Sequence, residues 1–291
     1  MGKSGMGGSS AEPDAISMCR GQHIGFLGMD GIGKSTMVRM LIAKLEASGI
    51  PVENVSWRAE TRAHAESAAR SLLRELWVES WRLLFLGSEE AAAAPTTYEQ
   101  FEREAWEDRL VSVTVDENPP AAPLAAAWLD LCGQTIVQHQ VIEPLRAAGT
   151  TVVEESYGLK LVLKELLTAR ALANTEQLRA EVAFALSILP RLFQHRTPDL
   201  GIVLSGSVDM AYRWRISQTG STGSMEDMGT AGQKGYDGFE TLQRECDRRF
   251  RELVSDGGWQ LFEMEEVAPE ENFARLLDVI RPHLGRLESS S

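Results

Sequence analysis

Cysteine is scarce in this sequence: Cys19, Cys132 and Cys246 are far apart, and none belongs to a CxxC pair. That excludes a disulfide framework and a structural zinc site of the usual spacing, and it suits a reducing cytosol. Apolar runs are short, and none reaches the roughly 18 residues needed to cross a bilayer. The N-terminus has no apolar signal core, and Met6 breaks the myristoylation pattern. Positive charge is in deficit, with 29 Lys and Arg against 42 Asp and Glu and a net charge of −13. Nucleic-acid binding requires a basic field that this balance denies. The expectation is a soluble, cytoplasmic protein with no membrane and no nucleic-acid partner.

What is present indicates one α/β domain. With 291 residues, 43% of them hydrophobic, the chain can bury a sizeable core. Short apolar strands are expected around Ile24, Phe26 and Leu27, and at 52–57, 151–154, 200–204 and 259–262. Helical patterns fall between them: Val38 to Leu45, 63–86, 98–111, 125–148, 157–173, 175–196 (bent or interrupted near Pro190), 207–216, Phe239 to Leu253, and Phe273 to Leu284. Strands alternating with helices predict a five-stranded parallel sheet covered on both faces. Around that domain (22–285) the sequence reads as a disordered tail (1–21), a helical insertion (87–123), a mobile glycine-rich lid region (213–235, the loop proper being 217–235) and a C-terminal tail (286–291).

The most informative stretch follows the first strand. Gly28-Met29-Asp30-Gly31-Ile32-Gly33-Lys34-Ser35-Thr36 matches GxxxxGK[ST] between an apolar strand and an amphipathic helix. In that context glycines let backbone N–H groups curl around a polyphosphate, and the helix N-terminus adds a favourable dipole. Lys34 is placed to reach the terminal phosphates and the Ser35 hydroxyl to ligate Mg²⁺. The sequence therefore predicts a binder of MgATP.

The order of features resembles the thymidylate kinase family of P-loop nucleoside-monophosphate kinases. FLGMDGIGKST (26–36) is similar to that family's phosphate loop, including the acidic residue two positions after the first glycine. IEPLRAAGTTVV (142–153) is similar to the segment ahead of the family's Asp-Arg-aromatic motif, and PDLGIVL (198–204) to the strand before its lid. The resemblance implies a P-loop kinase fold, ATP as phosphoryl donor, Mg²⁺, a small-molecule acceptor and a homodimer formed through helices. It also marks two departures. Where the family's arginine holds the acceptor phosphate, this chain reads Glu155-Ser156-Tyr157, and where its base-reading arginine stands, this chain has Gln134. Serine cannot form the bidentate, charge-assisted grip of arginine on phosphate. The donor side is retained and the acceptor has changed, so dTMP is not the expected acceptor.

Carried over position by position, Asp30 is expected at the acceptor sugar, with Arg58, Gln134, Ser156 and Tyr157 around the acceptor; Lys160, about one helical turn after Ser156, adds positive charge there. Glu155 joins Ser35 on Mg²⁺, and Arg213 and Arg215 stand at the lid to neutralise the transferring group. Adjacent residues at a strand end point to opposite sides, so only one of Glu154 and Glu155 faces the site. The family register selects Glu155. Aligning Glu154-Glu155-Ser156 with the Glu-Arg-Ser of deoxynucleoside kinases instead makes Glu154 a base for a sugar hydroxyl. A non-catalytic ATP-binding switch is the other reading. Trp57, Trp77, Trp81 and Trp128 are expected in the core.

Overall fold

The computed structural model describes residues 20–115, 119–228, 234–255 and 257–288. Five parallel strands form one sheet in the order β2-β3-β1-β4-β5: β1 (His23–Gly28), β2 (Val52–Val55), β3 (Thr151–Glu154), β4 (Leu200–Ser205) and β5 (Trp259–Glu263). β1 lies at the centre, with Ile24 opposite both Val153 of β3 and Leu200 of β4. β1, β3 and β4 are buried along their whole length, which is why they read as continuous apolar runs. The edge strand β2 instead exposes Glu53 and Asn54, as an edge that must not pair with another chain does.

Alternation along the strands divides the core in two. Leu27 and Val203 face α9 (Leu159–Leu172), α10 (Glu176–Gln194) and α12 (Tyr236–Ser255). Ile24, Phe26, Ile202 and Leu204 face α1 (Lys34–Ala47), α11 (Val208–Thr219) and α13 (Pro269–Glu288). A third apolar cluster, built on Trp57, Trp77, Phe85, Phe101 and Trp106, holds the helices between β2 and β3. These are α2 (Trp57–Arg62), α3 (Ala68–Leu84), α4 (Glu89–Ala93), α5 (Tyr98–Arg103), α6 (Trp106–Leu110), α7 (Ala122–Val137) and α8 (Glu143–Ala147). The chain runs from β1 to one edge, returns to β3, and then crosses β1 to reach β4. That switch opens a crevice beyond the carboxyl ends of β1, β3 and β4, where α/β proteins bind ligands.

Several boundaries differ from expectation, each with a local cause. Trp57 starts α2 rather than ending β2, because the Ser56 hydroxyl caps the helix by accepting from the Ala59 N–H at 3.1 Å. Ser67 caps α3 in the same way, so the helix expected over 63–86 begins at Ala68. The 98–111 helix breaks at Ala105, which has φ +53°. The 125–148 helix widens into a π turn over Gln138–Ile142 before α8; Pro144 has no N–H for a helical bond, and the wide turn absorbs its ring. Pro190 does not interrupt α10, whose Leu186, Leu189 and Phe193 are buried on both sides of it.

The expected tails are shorter than drawn. Residues 1–19 and 289–291 lie outside the described residues, while Gly21 donates to the Arg146 carbonyl at 2.8 Å, Arg20 pairs with Glu143, and 286–288 continue α13. In the lid region α11 reaches Thr219 and Gly220 ends it in the left-handed conformation. Residues 221–228 fold into turns, with the Ser224 N–H donating to the Val111 carbonyl at 2.8 Å. The rest of the loop expected to be mobile, 229–233, lies outside the described residues.

Candidate active site

The phosphate-loop sequence connects β1 to α1 across the mouth of the crevice. Met29 and Ile32 are fully buried beneath it and anchor the loop on the core. Gly31 and Gly33 have φ of +75° and +88°, a conformation that disfavours side chains. At Gly31 space is also closed, since a Cβ would lie 2.2 Å from the Ala211 carbonyl oxygen of α11. α1 begins at Lys34 with Met37, Val38, Leu41 and Leu45 on its buried face. Its first-turn N–H groups, from Lys34 and Ser35 onward, stand at the loop, where a helix attracts anions.

A cleft of about 610 Å³ opens beside Lys34. Of the residues expected at the acceptor, Asp30, Arg58, Gln134, Ser156 and Lys160 line it, and so do Glu155 and Arg215. Ser35 is exposed at the start of α1, with Gly28 behind it at the end of β1 and Thr36 in its first turn. Lys164, Arg62, Trp57, Trp77 and Trp81 line the cleft as well, although sequence reasoning did not place them there. Lys164 and Arg62 each follow an expected residue by four positions on a helix, a spacing that puts both side chains on one face. That was the available signal. Trp57 and Trp77 are buried as expected and Trp81 is partly buried, and their edges form an apolar wall: Trp57 and Trp77 meet edge to face at 5.3 Å, and Trp81 stacks on Phe85. Trp128 is instead 38% exposed.

Asp30 is the electrostatic centre of this cleft. Lys160 Nζ donates to its Oδ1 at 2.6 Å, while Lys164 Nζ and Gln243 Nε2 donate to its Oδ2 at 2.8 and 2.9 Å. The Asp30 N–H donates to Gln243 Oε1 at 2.9 Å, so α9 and α12 together clamp the loop. Burial acts to raise the carboxyl, but Lys160, Lys164 and Lys34 outweigh it and hold Asp30 well below the usual carboxylate range. Lys34 moves the other way. Burial and then the Lys160 charge lower its ammonium to about 7, against opposing pulls from Asp30 and Glu155. For Lys164 burial is outweighed by Asp30 and Glu226, which raise it.

The two glutamates at the end of β3 part as alternation requires. Glu154 turns into the sheet, where its Oε2 meets His23 Nε2 at 3.0 Å and its Oε1 accepts from the Gly158 N–H at 2.9 Å. Glu155 faces the cleft and accepts from Asn54 Nδ2 at 3.3 Å. The register that makes Glu154 the working carboxylate is therefore corrected. Among the described residues no group of three or more His, Cys, Asp or Glu could cage a metal. Glu155 and the Ser35 hydroxyl are nevertheless hard oxygen donors of the kind Mg²⁺ takes, an ion that usually keeps waters and substrate phosphates as its remaining ligands.

Two other expectations are corrected. Tyr157 does not reach the cleft. It is 3% exposed, packs edge to face on Phe193 and Trp259, and its hydroxyl donates to the Phe193 carbonyl at 3.4 Å. Arg213 and Arg215 do not act together. Two residues along a helix are about 200° apart, so only Arg215 faces the cleft, paired with Glu226 across 2.5 Å. Arg213 lies 55% exposed, held by both carboxylate oxygens of Glu266 at 2.8 and 2.7 Å.

No described helix is long and apolar enough to cross a membrane. No protein-family model matches the sequence, and no curated protein does. Similarity is found in three dimensions. The thymidylate kinase of Candida albicans superposes with a TM-score of 0.51 at 13% identity, covering 91% of this chain and 92% of that one. The deoxyadenosine kinase of M. mycoides, solved with dATP bound, gives 0.49 at 13% identity over 89% of this chain and 99% of that one. The sheet order, the phosphate-loop sequence and the superposition on thymidylate kinase agree: the chain folds as a P-loop kinase does, with five parallel strands flanked by helices.

Proposed function

We propose that the protein is an ATP-dependent small-molecule kinase that moves the γ-phosphoryl group of MgATP to a nucleoside, a nucleotide or a related metabolite other than dTMP. One observation carries this reading. The phosphate-loop Lys34 opens into the same cleft as Glu155, Lys160, Arg58 and a wall of tryptophans. This supports a polyphosphate site and an acceptor-sized pocket lying end to end, as in-line transfer requires.

In the transfer an acceptor oxygen bonds to the γ-phosphorus while the bond from that phosphorus to the β,γ-bridging oxygen breaks, releasing ADP. The loop amides and Lys34 hold the β- and γ-phosphates. Ser35 and Glu155 would hold Mg²⁺, which neutralises charge on the phosphate oxygens when bound. Arg215 leaves Glu226 for the transferring group, and Arg213 takes no part. If the acceptor is a hydroxyl, Glu155 is a carboxylate lining the cleft that can receive its proton. Catalysis is positioning and charge neutralisation, with no covalent intermediate on the chain.

The acceptor end lacks a bidentate phosphate grip. Lys160 and Lys164 are engaged by Asp30, Arg58 pairs with Glu107 at 3.0 Å and Arg62 with Glu102 at 2.9 Å. Each missing charged hydrogen bond costs an acceptor phosphate about 1.5–3 kcal/mol. Measured as ATP consumption over a panel of nucleosides and nucleoside monophosphates, turnover is expected with at least one member, and dTMP is expected to be poor. Efficient dTMP turnover would show that other groups replace both arginines. ATP binding with no turnover on any member would favour a nucleotide switch.

Proton uptake offers a test of the donor side alone. With Lys34 lowered to about 7, most of it is neutral at pH 8; phosphates placed against it restore the ammonium. ATP binding at pH 8 should then take up close to one proton, and at pH 6 very little. Calorimetry in two buffers of different ionisation enthalpy measures this directly. A binding heat at pH 8 that ignores the buffer would place Lys34 away from the phosphates.

A further inference from the structure

Behind the tryptophan wall lies a second, much smaller cavity of about 30 Å³. Trp77, Trp81, Leu161 and Met225 line both it and the main cleft, so it adjoins the acceptor pocket across those side chains. Three helices meet there, each contributing a polar group: Ser80 from α3, Asp130 from α7 and Glu165 from α9. Ser80 Oγ donates to Asp130 Oδ1, and the Glu165 carboxyl lines the same cavity. Asp130 is fully buried and Glu165 1% exposed, yet Asp130 Oδ2 and Glu165 Oε2 have no partner.

Such a pair is poorly suited to holding helices together. Unpartnered buried carboxyl oxygens oppose folding, and apolar residues of the same volume usually pack at least as stably. Burial pushes Asp130 up to about 7 and Glu165 well above the usual carboxylate range, with Lys164 pulling Glu165 back. Burial thus opposes ionising both carboxyls, and the two oxygens without a partner belong to residues that line the cavity. The volume suits one small polar group, about the size of a water molecule. A ring lying against Trp77 and Trp81 could place a single substituent there, and that substituent must donate.

We propose that Asp130 and Glu165 form a subsite for an amino substituent on the acceptor's heteroaromatic ring, selecting amino-bearing rings over their keto counterparts. An amino group donates N–H to the two unpartnered oxygens, whereas a carbonyl oxygen in its place sets lone pair against lone pair. A site whose buried polar groups are left unpaired by the wrong ligand discriminates strongly. This rests on the acceptor pocket of the proposed kinase reaction and narrows its substrate to an amino-substituted ring compound.

The test uses the full-length protein at pH 7 and two pairs that differ by exchange of NH₂ for O: adenosine with inosine, and cytidine with uridine. Binding is read by tryptophan fluorescence and calorimetry, and ATP consumption is read in the same samples. In at least one pair the amino member is expected to bind about tenfold or more tightly, and Asp130→Asn and Glu165→Gln are each expected to remove most of that preference. The wild-type comparison needs no variant, so a variant that fails to fold by circular dichroism leaves the result intact. Equal binding in both pairs, binding by none of the four, or a preference unmoved in folded variants overturns the proposal. A preference without ATP consumption would leave the subsite standing and count against the kinase reading. ATP consumption without a preference would do the reverse.

Discussion

Asp30→Ala is expected to destabilise the folded chain by about 3–5 kcal/mol, the loss seen when one member of a buried ion pair is removed. Asp30 is the shared partner of Lys160 and Lys164 and lies beside Lys34. Lys160 and Lys164 are only 5% and 7% exposed at their side chains, so without the carboxylate their charges cannot be solvated in place. Asp30→Asn keeps an acceptor for Gln243 and should lose less. The pH dependence has a definite sign. The folded carboxyl lies below its unfolded value, so its stabilisation is present at neutral pH and is lost as pH falls below about 4. The Asp30→Ala variant should lack that acid-dependent component and should recover stability at alkaline pH, where lysines shed their protons. Urea denaturation of both proteins across pH measures this. A loss under about 1 kcal/mol at pH 7 would mean that the lysines find other partners.

Lys34→Ala is expected to reduce phosphoryl transfer at least about a thousandfold while leaving the fold intact. Removing one preorganised charge from a transition state costs about two to three powers of ten, and Lys34 also positions the donor in the ground state. Stability should hold or rise. The folded site depresses the Lys34 ammonium from 10.5 to about 7, so protonation opposes folding as pH falls from about 10 towards 7. Alanine removes that opposition, and the gain should be larger at pH 7 than at pH 10. Single-turnover kinetics with the preferred acceptor, alongside thermal melts at the two pH values, separate the effects. Near wild-type transfer in a folded variant would end the assignment of Lys34 to the phosphates.

The two ends of the cleft were unequally legible. Gly28, Gly31, Gly33 and Lys34 were readable because a phosphate loop is local: one short segment supplies its glycines, its lysine and its helix N-terminus. Arg213 and Arg215 look equivalent along the chain, and only the turn of α11 separates one facing Glu226 from one facing Glu266. Tyr157 matched a motif but entered the core, because the chain dips beneath β1 after Ser156, where the Tyr157 N–H donates to the Phe26 carbonyl at 3.0 Å. Asp130 and Glu165 carried no signal, lying 35 residues apart on helices that a sequence does not orient towards each other.

The sequence by itself determined the parallel sheet, its five strands and the loop that can seat a phosphate, since strand alternation, helical periodicity and glycine chemistry act over a few residues. Tertiary structure alone decided which charges share the cleft. α9 carries Lys160 and Lys164 onto Asp30, α12 brings Gln243 to the same carboxylate, and the end of β3 turns Glu155 out and Glu154 in. Electrostatics depends on distance and burial, and both are fixed only when helices far apart in the chain pack on one sheet.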